Sequence, residues 1–151
     1  MKSLKIPYKK IWIASDHGGY KLKQHLIERY QAMPLHDLGP DSEDSVDYPD
    51  YAQKVCLAMK DDLTEVCGVL VCGSGQGMAI KANRYSFIRA ALCWSEEVAA
   101  LARQHNDANI LCLPGRLIPF PIAEKVFETF LTTTFEGGRH ARRVEKLGSA
   151  H

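Results

Sequence analysis

Val69-Leu70-Val71-Cys72-Gly73-Ser74-Gly75-Gln76-Gly77-Met78 is the stretch that decides the fold of this chain. Its apolar half reads as a buried strand, its glycines as a tight turn, and a helix is predicted to start near Gly75. Such a turn presents backbone N–H groups at a helix N-terminus, where negative charge is favoured. Cys72 and Ser74 lie in the same turn. A thiol beside an anion-stabilising nest points to proton or acyl chemistry rather than to phosphate holding alone. The plain structural alternative is a turn that needs its glycines only for conformation. Two nucleotide motifs are excluded. No Gly-Lys-Ser/Thr closes the turn, as a Walker A loop requires. Met78 stands at the third glycine position of a dinucleotide fingerprint, and the motif follows the third strand rather than the first.

Outward from this stretch, strands and helices alternate along the whole chain. Ile11 to Ala14 is predicted as the first strand, and a helix from about Gly19 to Tyr30 carries an apolar stripe of Leu22, Leu26, Ile27 and Tyr30. A short strand follows around Leu35 to Leu38, then a polar, acidic loop to Asp47. The next helix runs from Pro49 to about Lys60, with Ala52, Val55, Cys56 and Met59 at helical spacing. Cys67 to Cys72 is the third strand and Ile88 to Cys93 the fourth. Ser95 caps a helix with Glu96 and Glu97 in its first turn. Ile110 to Leu113 is the fifth strand. A helix from Pro121 to about Thr132 and a polar one from Arg139 to Leu147 complete the chain. Repeated strand–helix units give a parallel sheet with helices on both faces. The expected fold is a Rossmann-like, three-layer α/β/α sandwich with a five-stranded parallel sheet.

The composition of the 151 residues fits one ordinary globular domain, with 46% hydrophobic and 25% charged residues. A formal net charge of +1 gives no bulk electrostatic case for nucleic acid or a membrane surface. No apolar run approaches the roughly 20 residues of a membrane span. The basic N-terminus lacks the apolar core of a signal segment, so the cytoplasm is the expected location. Five cysteines without a signal segment argue against a disulfide framework. Cys67 and Cys72 fall on opposite faces of a strand and about 16 Å apart, so they cannot share a metal ion. Cys56, Cys67, Cys93 and Cys112 read as small buried hydrophobes. Cys72 alone ends a strand beside glycines.

In a parallel sheet, ligands bind outside the carboxyl ends of the strands. That edge gathers Ser15-Asp16-His17-Gly18-Gly19, Cys72 to Gly77, and Pro114-Gly115-Arg116. Asp16 and His17 suit a substrate or metal contact, or equally an Asp cap with an exposed imidazole. His105-Asn106-Asp107 lies at a helix end before the fifth strand, where a histidine is often only a favourable charge. It needs a turn or a neighbouring subunit to reach that edge. Arg139 and Arg143 share a helix face, as a phosphate clamp or as part of a solvated basic helix.

Together these segments resemble the family of ribose-5-phosphate isomerase B and its relatives, the galactose-6-phosphate and allose-6-phosphate isomerases. The matching pieces are Ser15 to Gly19, Asp47-Tyr48-Pro49, Val71 to Gly75, Ala82-Asn83, Arg103 to Asn109, and Glu136 to His140. They occur in family order over nearly the whole chain, which as a set is highly specific.

The resemblance implies a single sugar-phosphate isomerase domain over residues 1–151. It implies an aldose–ketose isomerisation through a cis-enediolate, with no metal and no organic cofactor. By family position Cys72 takes the C2 proton, Ser74 assists ring opening, and His105 is the acid of that step. Asn106 and the backbone of Gly73, Gly75 and Gln76 hold the enediolate and hydroxyls. Asp16 contacts a substrate hydroxyl. His17, Arg139 and Arg143 match phosphate ligands, and Arg116 is a further substrate-binding residue. One branch of the family uses a glutamate a few residues after the glycine turn; Met78 holds that position here, so the chain falls in the cysteine branch. The family forms homodimers, sometimes tetramers, with sites shared between subunits. Ribose 5-phosphate is the expected aldose, with a six-carbon sugar phosphate as the second reading. A non-catalytic binding module is a third reading, opposed by Cys72, Ser74 and His105.

Overall fold

The computed structural model describes residues 2–149; Met1, Ala150 and His151, the ends of the expected domain, lie outside the described residues. Five strands form one parallel sheet: β1 (Lys10–Ser15), β2 (Leu35–Asp37), β3 (Val66–Cys72), β4 (Ala90–Leu92) and β5 (Ile110–Pro114). The helices are α1 (Tyr20–Arg29), α2 (Tyr48–Met59), α3 (Gln76–Ala82), α4 (Glu96–Asn106), α5 (Phe120–Thr132) and α6 (Arg139–Leu147). The expected α/β fold and its element order are borne out.

The strand order is β2-β1-β3-β5-β4. Connections from β1 lead to one side of the sheet and those from β3 to the other. The crevice between the carboxyl ends of β1 and β3 is therefore a topological switch point, the usual ligand position in such sheets. Every residue of β3 is buried, as befits a central strand covered on both faces.

Two apolar layers follow from the period-2 alternation of the strands. Ile11, Ile13, Cys67, Val69 and Leu111 pack against Leu22, Leu26, Val126, Phe127 and Phe130 of α1 and α5. Leu70, Cys72, Ile110 and Cys112 face the other way, onto Val55, Cys56 and Met59 of α2 and Met78 of α3. Cys67 and Cys72 thus lie in different layers, as their spacing requires.

Element ends differ in small ways. Helices α2 and α5 begin one residue before the prolines at which they were expected to start, because proline needs no N–H partner in a first turn. Strand β4 is shorter than the predicted Ile88 to Cys93. The Ile88 N–H donates to the Tyr85 carbonyl and the Arg89 N–H to Asn109 Oδ1, so neither joins the ladder. The Ser95 cap is present: its Oγ accepts from the Val98 N–H at 3.3 Å.

Asn83 and Asn109, both in the family-like segments, do architectural work. Asn83 donates to and accepts from the backbone of Ala90, tying α3 to β4. Asn109 accepts from Arg89 and donates to the Phe87 carbonyl, tying β5 to the loop before β4. Among the described residues, no helix is long and apolar enough to cross a membrane.

Candidate active site

The glycine turn is built around Cys72. Gly75 adopts φ +77°, a left-handed conformation that favours glycine, and caps α3. This turn aims the Gly75 N–H at Cys72 Sγ, 3.1 Å away. An N–H directed at sulfur is the partner a thiolate needs. The Ser74 hydroxyl accepts from the Gln76 N–H at 3.3 Å. Backbone donors, a thiol and a hydroxyl therefore converge at one helix N-terminus.

Cys72 is 4% exposed, at the mouth of its layer. The other four thiols are structural. Burial pushes Cys56 up to about 11 and Cys93 up to about 12, and it raises Cys67 and Cys112 as well. All five cysteines are free.

The loop after β1 forms the facing wall. Asp16 Oδ1 accepts from the Gly19 N–H at 2.9 Å, closing a turn ahead of α1. Asp16 therefore secures the turn that leads into α1, whose N-cap position is Gly19, rather than capping the helix itself. His17 Nδ1 accepts from the Val46 N–H at 3.3 Å, so in the neutral ring the proton sits on Nε2. Gly19 lets this loop approach β3: a Cβ there would lie 2.1 Å from the Val71 carbonyl oxygen.

Arg116 completes the edge. Its amide donates to the Gly73 carbonyl at 3.0 Å, and the Gly115 N–H donates to the Cys72 carbonyl at 2.8 Å. The guanidinium lies over Gly18, where a Cβ would meet Cζ at 3.2 Å. His17, Gly18, Lys21, Glu43 and Arg116 line a cavity of about 260 Å³. Asp16, His17 and Tyr48 line a neighbouring one of about 410 Å³. The Tyr48 ring packs on Gly77, where a Cβ would lie 2.5 Å from it.

The structure thus brings Asp16, His17, Cys72, Gly73, Ser74, Gly75, Gln76 and Arg116 to one edge of the sheet. It does not bring His105, Asn106, Arg139 and Arg143 there within one chain. His105 and Asn106 end α4, just before β5 begins, at the amino end of the strands. At about 3.3 Å per residue, β5 alone separates the two edges by roughly 13 Å.

At that second edge Arg103 is the organiser. It donates to the Thr133 and Ala108 carbonyls and pairs with Asp107, holding the end of α4 against the loop before α6. His105 and His140 stack there, with ring centroids 4.3 Å apart, beside Glu136. Burial, together with the positive charges of His105, Arg139 and Arg143, holds the His140 imidazole below its ordinary pKa against the opposing pull of Glu136. Asn106 lines a cavity of about 380 Å³ with Asn83, Arg89 and Leu147.

Tyr48, Lys21 and Glu43 were not singled out as site residues from the sequence, and nothing in local spacing marks the last two. Tyr48, Glu136 and His140 stood inside family-like segments without a role.

This chain is similar to known sugar-phosphate isomerases. A family model described as Ribose/Galactose Isomerase matches residues 11–147. A crystal structure of a ribose 5-phosphate isomerase from Thermotoga maritima is similar at 50% identity and a TM-score of 0.86, covering 92% of this chain and 97% of that one. Ribose-5-phosphate isomerase B from Mycoplasma genitalium, solved with bound ribulose-5-phosphate, is similar at 42% identity and a TM-score of 0.87, covering 91% and 93% of the two chains. Ribose-5-phosphate isomerase B of Escherichia coli is 39% identical over 143 residues, 92% of this chain and 94% of the relative. The chain belongs to the ribose/galactose isomerase family.

Proposed function

We propose that this protein interconverts ribose 5-phosphate and ribulose 5-phosphate. The observation that carries the reading is the Cys72 thiol seated beneath the Gly75 N–H at the switch point of the sheet. The ribulose-5-phosphate complex of the Mycoplasma genitalium protein supports the five-carbon substrate over the six-carbon alternative.

The proposed course assigns each step to a residue. His105 donates a proton to the ring oxygen as the C1–ring oxygen bond breaks, while the anomeric hydroxyl gives up its proton to water with the Ser74 hydroxyl assisting. Cys72, as thiolate, removes the C2 proton. The electron pair moves into a C1–C2 double bond and the carbonyl oxygen becomes negative. The N–H groups from Gly73 to Gln76 at the helix N-terminus stabilise that oxygen, those of Gly75 and Gln76 turning to it from Cys72 Sγ and the Ser74 hydroxyl. Asn106 assists there. The O2 hydroxyl proton then passes to O1, the negative charge moves to O2, and the Cys72 proton is returned to C1 as the C2 carbonyl forms, giving the ketose. Asp16 holds a substrate hydroxyl through its free oxygen. His17, through Nε2–H, binds phosphate with Arg139 and Arg143, and Arg116 adds a further contact. Phosphate binding is remote from the reacting carbons and fixes their orientation.

The same reading makes the working form a homodimer with shared sites, or a tetramer of such dimers. One chain offers Cys72 at one edge and His105, Arg139 and Arg143 at the other, so a second copy is needed to complete a site. A single domain over 1–151 and a cytoplasmic location belong to the same proposal; five free thiols suit a reducing compartment.

The test is kcat/KM measured side by side on ribose 5-phosphate, allose 6-phosphate and galactose 6-phosphate. The five-carbon substrate should lead by at least about tenfold, equivalent to about 1.4 kcal/mol of transition-state binding. Equal or reversed values would transfer the protein to the six-carbon reading, and binding without turnover would make it a binding module.

A further inference from the structure

Three side chains at the amino edge of the sheet form a constellation that the isomerase reading uses only in part. His105 Nε2 lies 3.4 Å from Glu136 Oε1, and His140 Nε2 lies 3.9 Å from the same oxygen. One ligand atom from each of the three residues lies within 4.8 Å of the others. Two donors bound at 2.0–2.1 Å to a tetrahedral ion sit about 3.3 Å apart. The His105–Glu136 separation is therefore already near that of a coordinated set; the His140–Glu136 pair is wider, and a turn of one of the stacked rings is needed to bring both Nε2 lone pairs onto one ion.

The frame around these atoms is fixed from three directions. His105 is in the last turn of α4, held by the Arg103 bridges. The Glu136 N–H donates to the Gln104 carbonyl at 3.1 Å, tying the loop to that same turn. Gly137 and Gly138, at φ +68° and +54°, lead into α6, whose His140 ring stacks on His105. The His140 side chain is 12% exposed, against 39% for His105 and 48% for Glu136. Within one chain the cluster is thus anchored on its inner side and open on its outer side. Two imidazoles and one carboxylate with an open position suit Zn²⁺, while Mg²⁺ and Ca²⁺ prefer all-oxygen sites.

We propose that His105, Glu136 and His140 form a zinc site with an open fourth position, and that its occupation switches the isomerase off. The switch rests on the reading that His105 supplies the ring-opening proton. Zinc on His105 Nε2 takes the lone pair that would carry that proton, and any proton already there is released to water. With zinc bound, furanose opening loses its acid.

Zn²⁺ itself is the probe, titrated into the full-length protein against a chromophoric chelator. One ion per chain should bind to the wild type. Glu136→Gln and His140→Asn should each weaken binding at least tenfold while keeping the wild-type circular dichroism and melting temperature. Cys72→Ser should bind as the wild type does. Unchanged affinity in both Glu136→Gln and His140→Asn, or loss of binding in Cys72→Ser, would overturn the site. In the activity arm, Zn²⁺ should inhibit ribose 5-phosphate turnover, EDTA should restore it, and the inhibitory concentration should rise at least tenfold in His140→Asn relative to its own zinc-free rate. Stoichiometric zinc binding with full activity would overturn the switch. Zinc binding that depends on Glu136 and His140, in a protein that never turns over ribose 5-phosphate, would count against the isomerase reading and leave the site standing.

Discussion

The Gly75 amide points its N–H at Cys72 Sγ across 3.1 Å. The left-handed turn at Gly75 creates this relationship, and a side chain there would also collide with Leu92, whose Cδ1 would lie 2.4 Å from the new Cβ. The donor therefore acts on the sulfur in a geometry that no other residue type would adopt without strain. It couples the backbone conformation of the turn to the proposed base.

Cys72→Ala should leave the fold intact, since it removes one atom at the mouth of a layer. Turnover should fall by about 10²–10⁴-fold, the usual contribution of a positioned general base. The measurement is kcat with ribose 5-phosphate alongside a thermal melt. A variant retaining most of its turnover would remove Cys72 as the base.

Mixing two inactive variants tests the shared site. Cys72→Ala and His105→Ala lie at opposite edges of one chain, so in a mixed dimer one of the two sites would carry both native residues. Unfolding and refolding the variants together should recover activity that neither has alone. Absence of recovery, with mixed dimers demonstrated by mass, would place both residues in one chain's site.

Gly19→Ala should destabilise the protein by about 1–3 kcal/mol or more, the range for forced overpacking. Its Cβ would lie 2.1 Å from the Val71 oxygen and 2.4 Å from the Val71 carbonyl carbon, in the central strand, which cannot retreat. A lower urea midpoint with an unchanged slope is the expected readout. A wild-type midpoint would show that the α1 loop does not hold this approach in solution.

Glu128 provides a pH test. Burial alone would raise its pKa, but hydrogen bonds from Lys2 and Tyr30 outweigh it and hold the carboxyl below its ordinary value. A depressed carboxylate adds stability above its unfolded value, near 4.3, and loses it as pH falls through the folded value. Glu128→Gln should therefore lower the melting temperature at pH 7, by an amount corresponding to about 1 kcal/mol. The gap from wild type should close as pH falls from the unfolded value, near 4.3, through the lower folded value. A gap independent of pH would mean that packing, not charge, is what the substitution removes.

The element order was legible because each strand and helix carries its own period. The fully apolar β3 and the stripes of α1, α2 and α5 report burial residue by residue, and Ser95 marks the start of α4 by a local hydrogen bond. What misled was the length of β4. Ile88 is apolar and buried like a strand residue, yet its N–H bonds back to Tyr85 and its neighbour Arg89 is captured by Asn109, some 20 residues away in sequence.

The sequence by itself determined the parallel α/β architecture, the segregation of Cys72 from the four structural thiols, the rejection of nucleotide motifs at Met78, and the family to which the motifs belong. These follow from local periodicity and residue type. The parallel-sheet rule likewise put Asp16, His17, Cys72 and Arg116 at one edge and left His105 and Asn106 ahead of β5, away from it; only the tertiary structure decided that Arg139 and Arg143 join His105 and Asn106 at the other edge. It also decided that Glu136 and His140 converge on His105. Strand order and the direction of each crossover fix those positions, and both are set by which apolar faces pack together rather than by any local stretch of chain.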